Sequence, residues 1–341
     1  MSGPGPSPLV SIITPSYNQA EYLEDTLRSV LAQDYASIEY LVVDGASSDG
    51  SQEILRRYAG RLSWWVSEPD HGQAEAINKG LRRARGEIVA WLNSDDLYLP
   101  GAVAGAVAAF QARPESGLVF GDAITIDARG RPINKLVFGD WGLAELMSFR
   151  IICQPAVFMR KTALEQAGLL DPTYHFMLDH HLWLRMAQAT PIQHVPAYWA
   201  AARHHPGAKN VSQPVEFGKE TLRVLEWMQN QPDLGPLAAQ NHKRVLGGAQ
   251  RLNARYLLDG GLPGPALRAY GQALLANPGF ALKHWHRMLY ALASLLGAGR
   301  LASWYDRLAP IRPGRRPDLD RLPGIESWPG LDLEHKSTYP G

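Results

Sequence analysis

Through the first hundred positions, short β-branched apolar runs alternate with stretches of helical spacing. Residues 9–14 (Leu-Val-Ser-Ile-Ile-Thr) form such a run and stop at Pro15-Ser16-Tyr17-Asn18, which predicts a buried strand ending in a loop. Tyr22, Leu23, Thr26, Leu27, Val30 and Leu31 follow at the spacing of a helix face. A second strand over 39–43 runs into Asp44 and a Gly/Ser loop to Gly50, where Ser48 or Asp49 can cap a helix carrying Ile54 and Leu55. A third strand, 62–66, leads through Glu68-Pro69-Asp70-His71-Gly72 to a helix over about 73–84, and a fourth, 87–92, stops at Asn93-Ser94-Asp95-Asp96. This alternation predicts an α/β domain around a mainly parallel sheet. Ligands of such sheets bind beyond the carboxyl ends of the strands, and Tyr17, Asp44, Asp70 and Asp95 all stand at those ends.

After Gly101 the pattern becomes mixed. Leu118-Val119-Phe120-Gly121-Asp122 reads as another strand end, and 151–159 as an irregular or edge strand because it contains Pro155. Residues 178–189 have the spacing of a helix rich in His and Trp. Beyond Pro214 the stretches 222–228, 243–258, 265–275 and 282–296 are helical, with Pro and Gly breaks between them. The expected organisation is a disordered lead-in over 1–8, an α/β domain over 9–213, a helical extension over 214–311 and an extended Pro-rich tail over 312–341.

A length of 341 residues suggests two or three domains, and 45% apolar with 20% charged residues fits an ordinary globular chain. The formal net charge of +1 gives no case for nucleic acid as a partner. Cys153 is the single cysteine, which suits a reducing compartment. The lead-in lacks the basic and apolar regions of a signal peptide. No apolar run has the length of a membrane span, and residues 288–298 are too short for one. The expected location is the cytoplasm, with a peripheral position at the inner face of the membrane open.

The most chemistry lies in Asn93-Ser94-Asp95-Asp96. Hard divalent cations take carboxylate oxygens, and phosphates and waters fill their other positions; a polar turn capping the next helix is the plainer reading. Asp44 can accept hydrogen bonds from a base or ribose, or it can simply open an Asx turn. Its loop lacks the phosphate-loop Lys and the GxGxxG spacing, so dinucleotide binding fits poorly. Asp179 can cap a helix or act as a general base. His180 and His181 are adjacent and so do not share a helix face. Arg203-His204-His205 with Lys209 is a basic cluster on an expected loop, suited to a leaving diphosphate or simply to solvent. Trp64, Trp65 and Trp91 read as core aromatics.

Taken in order, these segments resemble family 2 glycosyltransferases of the GT-A fold over about residues 8–212. The motifs that carry the resemblance are Thr14-Pro15-Ser16-Tyr17-Asn18 with Tyr22-Leu23 and Ser29-Val30-x-x-Gln33; Val42-Val43-Asp44-Gly45-x-Ser47-x-Asp49-Gly50; Ser67-Glu68-Pro69-Asp70-x-Gly72-Gln73-x-x-Ala76-x-Asn78-x-Gly80; Leu92-Asn93-Ser94-Asp95-Asp96; Ile152-x-Gln154-Pro155-Ala156; and Asp179-x-x-Leu182-Trp183-x-Arg185. The resemblance implies a Rossmann-like sheet with flanking helices and inverting sugar transfer from a nucleotide diphosphate sugar, a UDP-sugar first among them, to a glycan, lipid-linked or protein-linked acceptor. It implies Mn2+ or Mg2+ as cofactor. Pro15, Tyr17, Glu21 and Asp44 would hold base and ribose, and Asp70, Gln73 and Asn78 would line the nucleotide and diphosphate. Asp95 would bind the metal, with His205 a further candidate ligand; Asp96 would lie by the donor sugar, and Ser94 would also be donor-binding. Asp179 would be the base, Gln154, His181 and Trp183 would face the acceptor, and Arg203, His205 and Lys209 would sit in a segment closing over the diphosphate. Three positions depart from the pattern. Asn93 replaces the first acid of the DXD segment, Leu178 stands where many relatives have Glu, and His181 replaces a frequent Asp; His181 is therefore a second candidate base.

The C-terminal part lies outside the resemblance. Residues 254–278 resemble one tetratricopeptide unit, and a solenoid needs several. The helices there are expected to pack on the catalytic domain or on a second copy of the chain. The helix with Trp285, Met288, Leu289, Leu292, Leu295 and Leu296, beside Lys283, Arg287 and Arg300, also has the composition of a membrane-surface helix. Two other readings stand beside transfer: a catalytically inactive nucleotide-sugar-binding protein, and a scaffold acting through the helical tail.

Overall fold

The structure, a computed structural model, describes residues 7–297 and 328–332. Most of the expected lead-in and tail therefore lie outside the described residues. The described chain forms two compact units, one of residues 7–142, 152–204 and 328–332, the other of 143–151 and 205–297.

The first unit runs β1 (Val10–Ser16), α1 (Ala20–Leu31), β2 (Ile38–Asp44), α2 (Ser51–Tyr58), β3 (Trp64–Ser67), α3 (Gln73–Arg83), β4 (Ile88–Trp91), β5 (Leu97–Tyr98), α4 (Ala102–Ala112), β6 (Leu118–Asp127) and β7 (Pro132–Leu136). After α5 (Leu143–Met147), which belongs to the second unit, it resumes with a 3-10 turn at Gln154–Ala156, β8 (Val157–Arg160), α6 (Lys161–Ala167), α7 (Leu178–Ala189) and β9 (Ile192–His204). The sheet order is β3-β2-β1-β4-β8-β6-β9-β5, with β7 on β6.

The sheet has two characters. β3, β2, β1 and β4 are parallel neighbours, and every residue of β1 is buried, as expected of a strand covered on both faces. α3 presses on β1 so closely that a Cβ on Gly80 would collide with the Ile13 side chain. From β8 onward the pairing is mixed: β8 runs antiparallel to β4 and β6, while β6 and β9 are parallel. The sheet is thus mixed rather than mainly parallel.

Three elements differ from the expectation. β6 does not end at Asp122 but continues to Asp127. α4 has an Ala- and Val-rich sequence with no polar face to mark it, and Gln33 Oε1 accepts from Val103 N at its start. β9 was not among the expected strands, and it contains Pro196. Its register against β6 shifts between Gly121 and Ala123, and a bulge is where a strand tolerates proline.

The second unit is helical: α5, then α8 (Lys209–Ser212), α9 (Pro214–Asn230), α10 (Leu234–Gln240), α11 (His242–Asp259), α12 (Pro263–Ala276), α13 (Pro278–Ala281) and α14 (Trp285–Leu295). Residues 143–151 lie along α11. Arg244 pairs with Glu145 at 2.6 Å, Arg251 donates to the Phe149 carbonyl, and a Cβ on Gly248 would strike the Ser148 carbonyl. No helix among the described residues is long and apolar enough to cross a membrane.

Candidate active site

Parallel pairing sets Ser16, Asp44 and Ser67 side by side at the ends of β1, β2 and β3. Asp44 is fully buried. Its carboxylate accepts from Ser47 N (2.9 Å), Ser47 Oγ and Ser67 Oγ (2.6 Å), so it opens and fixes the loop that follows. A Cβ on Gly45 would lie 2.9 Å from Asp70 Oδ2 and 3.3 Å from the Tyr17 ring. The missing side chain lets that carboxylate and ring close over the loop. Asp70 also accepts from Gly72 N at 2.8 Å. Pro15 is buried, Glu21 is exposed, and Tyr17 is 64% exposed at the edge of this group. Sequence reading missed Asn18. Its amide nitrogen donates to Ser47 Oγ and its side chain accepts from Ser48 N, stitching the β1 and β2 loops together. Asn18 and Ala46 both have positive φ, and backbone strain of this kind gathers at ligand sites.

The acidic turn after β4 is held by amides and one arginine. Asn93 accepts from Gln73 Nε2 (2.7 Å) and donates to Gln154 Oε1 (3.1 Å) and Asp96 Oδ2 (3.2 Å). Gln154 in turn donates to the Trp91 carbonyl. An aspartate at position 93 could accept but not donate these bonds, which gives the departure from the DXD pattern a structural role. Ser94 is buried in the turn. Asp96 is buried too, and its other oxygen accepts from Arg203 N at 2.9 Å. Burial pushes its carboxyl well above the usual range and Asp95 adds to this, against the opposing pull of Arg203 and Asn93.

Arg203 does not stand in a closing segment. It lies in β9 with its side chain 1% exposed. Nε donates to the Asp95 carbonyl (2.9 Å), Nη1 to the Ala128 carbonyl (3.0 Å), and Nη2 faces Asp25 at 3.4 Å, with the Tyr22 ring beneath the guanidinium. A guanidinium spent on fixed carbonyls holds the turn's backbone and is not placed to swing onto a ligand. His205 and Lys209 belong to the second unit, where His205 is buried and Lys209 opens the short α8.

On the acceptor side, Asp179 lies in the first turn of α7 and is half-buried. The half-buried Cys153 has its thiol pushed up by burial, and the Asp96 and Asp179 carboxylates both add to that. His181 is buried with its ring on Tyr174, 4.3 Å between centroids. Two expectations are corrected here. Trp183, expected to face an acceptor, is 1% exposed and stacks on Trp91 in the core. Asn78, expected to line the nucleotide, is buried and exchanges hydrogen bonds with both backbone groups of Leu170. With Arg185, which donates to the Ala167 and Leu169 carbonyls, it holds the segment leading to α7.

Among the described residues no group of three or more His, Cys, Asp or Glu converges as a cage for a metal. The turn suits instead an ion that arrives with phosphate oxygens and needs one or two carboxylates. Both Asp96 oxygens accept protein hydrogen bonds, and of the two acids Asp95 is the less buried.

Residues 11–160 match the profile of glycosyl transferase family 2, and this part of the chain belongs to that family. O-antigen biosynthesis protein RfbC of Myxococcus xanthus is 34% identical over 201 residues, 57% of this chain and 16% of RfbC. TuaG of Bacillus subtilis, described as a teichuronic acid biosynthesis glycosyltransferase, is 48% identical over 94 residues, 27% of this chain and 37% of TuaG. The chain thus spans well under half the length of these curated relatives. Among solved structures, S. aureus TarS 1–349 superposes with a TM-score of 0.58 at 18% identity, covering 88% of this chain and 92% of the other. Mannosyltransferase PcManGT from Pyrobaculum calidifontis, in complex with GDP-Man and Mn2+, gives 0.58 at 22% identity, covering 91% and 87%. These likenesses show the GT-A fold.

Proposed function

We propose that the chain is an inverting, metal-dependent glycosyltransferase that moves a sugar from a nucleotide diphosphate sugar onto an acceptor hydroxyl. The observation that carries this reading is the braced acidic turn at the carboxyl end of β4: the Asp95 carbonyl is held by buried Arg203 and the Asp96 carboxylate by Asn93 and the Arg203 amide. Relatives described by O-antigen and teichuronic acid biosynthesis favour a cell-surface glycan or its lipid-linked precursor as acceptor. TarS in complex with UDP-GlcNAc and PcManGT with GDP-Man agree with a nucleotide-sugar donor, and we take a UDP-sugar as the first choice.

Tyr17, Pro15 and Glu21 would border the base and ribose, with Asp44 and Asp70 shaping that end of the cleft. Gln73 and Asn93 would hold the turn in position while Asp95 bears Mn2+ or Mg2+. A bound ion would offset the negative charge that builds on the departing diphosphate. The acceptor oxygen attacks the anomeric carbon as the bond from that carbon to the diphosphate breaks and the electron pair leaves with the phosphate. The acceptor proton passes to the Asp179 carboxylate, and one displacement inverts the anomeric centre. Asp179 is preferred to His181 because it is the more exposed of the two.

The second unit supplies a surface for lipid. Trp285, Leu289 and Leu292 on α14, with Leu296 just beyond it, are all exposed, and residues 260–305 contain no Asp or Glu. An apolar face without acids suits an anionic membrane surface on which a lipid-linked acceptor would lie.

A thermal-shift screen of nucleotide sugars with and without Mn2+ tests the function. A ligand at a hundredfold excess over its dissociation constant stabilises the fold by ~2.7 kcal/mol. At least one donor should stabilise the protein more in Mn2+ and be slowly hydrolysed to the nucleotide diphosphate. Stabilisation without hydrolysis would favour an inactive binder, and no stabilisation by any donor would overturn the reading.

A further inference from the structure

Far along the sequence from the family 2 segment, residues 328–332 pack within the first unit on β5, which follows the acidic turn, and on β6 and β9. Trp328 Nε1 donates to the Tyr98 carbonyl at 2.7 Å. Trp328 and Leu331 lie against the cluster of Leu97, Leu99, Ile124, Ile126 and Ala201. Asp332 N donates to the Gly130 carbonyl at 3.1 Å. The contact is close enough to need two glycines. Gly130 and Gly330 both have positive φ; a Cβ on Gly130 would strike the Gly330 carbonyl, and one on Gly330 would come 2.8 Å from the Asp25 Cβ.

What this segment touches is the far side of Arg203. Asp25 faces the guanidinium, and the turn that holds Gly130 begins with Asp127 and Ala128, whose carbonyls accept from Nη1. Tyr98 lies two residues after Asp96. The other edge of the same guanidinium holds the Asp95 carbonyl. A change in how Asp25 or residues 127–130 sit therefore reaches Asp95 through one rigid, buried group.

We propose that residues 328–332 form a clasp that positions the acidic turn, with Trp328 its anchor in a groove made by β5, β6 and β9. Trp328 is a positioning residue: it acts on Asp95 through Tyr98, Asp25 and Arg203. The inference rests on the reading of Asp95 as the donor-binding carboxylate, and its test has an arm that does not.

The test compares the full chain with Trp328→Ala and Trp328→Phe. Amide hydrogen exchange without ligand reads the turn, and calorimetric titration with UDP and Mn2+ reads donor binding. In Trp328→Ala, exchange should rise at residues 95–99 and 128–131 while the β1 and β2 amides keep their protection. UDP affinity in Mn2+ should fall on the order of tenfold, as expected where a buried carbonyl loses its donor. Trp328→Phe keeps the ring in the groove and should fall between the two. Unchanged exchange at 95–99 and 128–131 in Trp328→Ala would overturn the clasp. So would wild-type UDP affinity in a variant that is merely less heat-stable. If the wild-type chain binds no UDP, the choice of donor has failed, and the exchange arm still decides the clasp.

Discussion

The loops after β1, β2 and β3 and the acidic turn after β4 leave neighbouring parallel strands, and they use carboxylates in opposite ways. In the loops, carboxylates do the holding: Asp44 and Asp49 accept from backbone N–H groups and serine hydroxyls, and the backbone is shaped around them. In the turn, the carboxylates are held. Gln73 and Gln154, bonded to the turn's own Asn93, and the buried Arg203 brace it from other parts of the chain. The first arrangement leaves an aromatic edge, Tyr17, open to a ligand. The second fixes a charge that would otherwise repel its neighbour, which is what an ion-binding carboxylate needs.

The comparison is most sharply tested where chemistry is assigned. Asp179→Asn keeps the shape and removes the proton acceptor, so turnover should drop by ~10²–10⁴-fold with donor affinity nearly unchanged. Steady-state rates with titration of the donor would show it. An active Asp179→Asn beside a dead His181→Ala would move the base to His181.

Next come paired variants that break each kind of brace. Arg203→Met strips the donors from the Asp95 and Ala128 carbonyls and should cost about 3 kcal/mol in urea unfolding. Asp44→Asn replaces an acceptor facing three donors with one oxygen and one amide, and should cost about 1–3 kcal/mol. The two should also differ in function. Arg203→Met should weaken the Mn2+-dependent part of donor binding, whereas Asp44→Asn should weaken binding equally with and without metal. Identical metal dependence in both would erase the distinction between the regions.

The four parallel strands and their loops were legible in the sequence because each run is apolar, β-branched and cut off by Gly, Pro or Asp. The turn's acids were legible for the same reason. What was hidden depends on distant partners. Arg203 reads as part of a solvated basic cluster with His204 and His205, and its burial follows only from carbonyls at positions 95, 127 and 128. β9 was not read as a strand, and a bulge accommodates its Pro196. Asn93 looked like a lost ligand until its three amide and carboxylate partners were in place. Trp183 shares a motif with Asp179, but helical geometry turns it to the core, onto Trp91.

The smallest effect lies away from the site and serves as a control. Glu39 is buried on β2; burial would raise its carboxyl, but bonds from Arg85 N, Ser11 Oγ and the Arg85 side chain outweigh that and hold it below the usual range. A depressed folded value means the stabilisation is present above the ordinary carboxylate value and is lost as pH falls through the folded one. Glu39→Gln should therefore lower stability at neutral pH and flatten the acid limb of a pH–stability curve, leaving Mn2+ dependence unchanged. A variant with the wild-type acid limb would remove Glu39 from the account.

The most direct test of the central claim is calorimetric titration of UDP into the wild-type chain and Asp95→Asn, each in Mn2+ and in EDTA. Metal should tighten binding to the wild type, and Asp95→Asn should lose this increment while keeping its weak EDTA affinity and its fold. An Asp95→Asn chain that binds UDP in Mn2+ as the wild type does would contradict it.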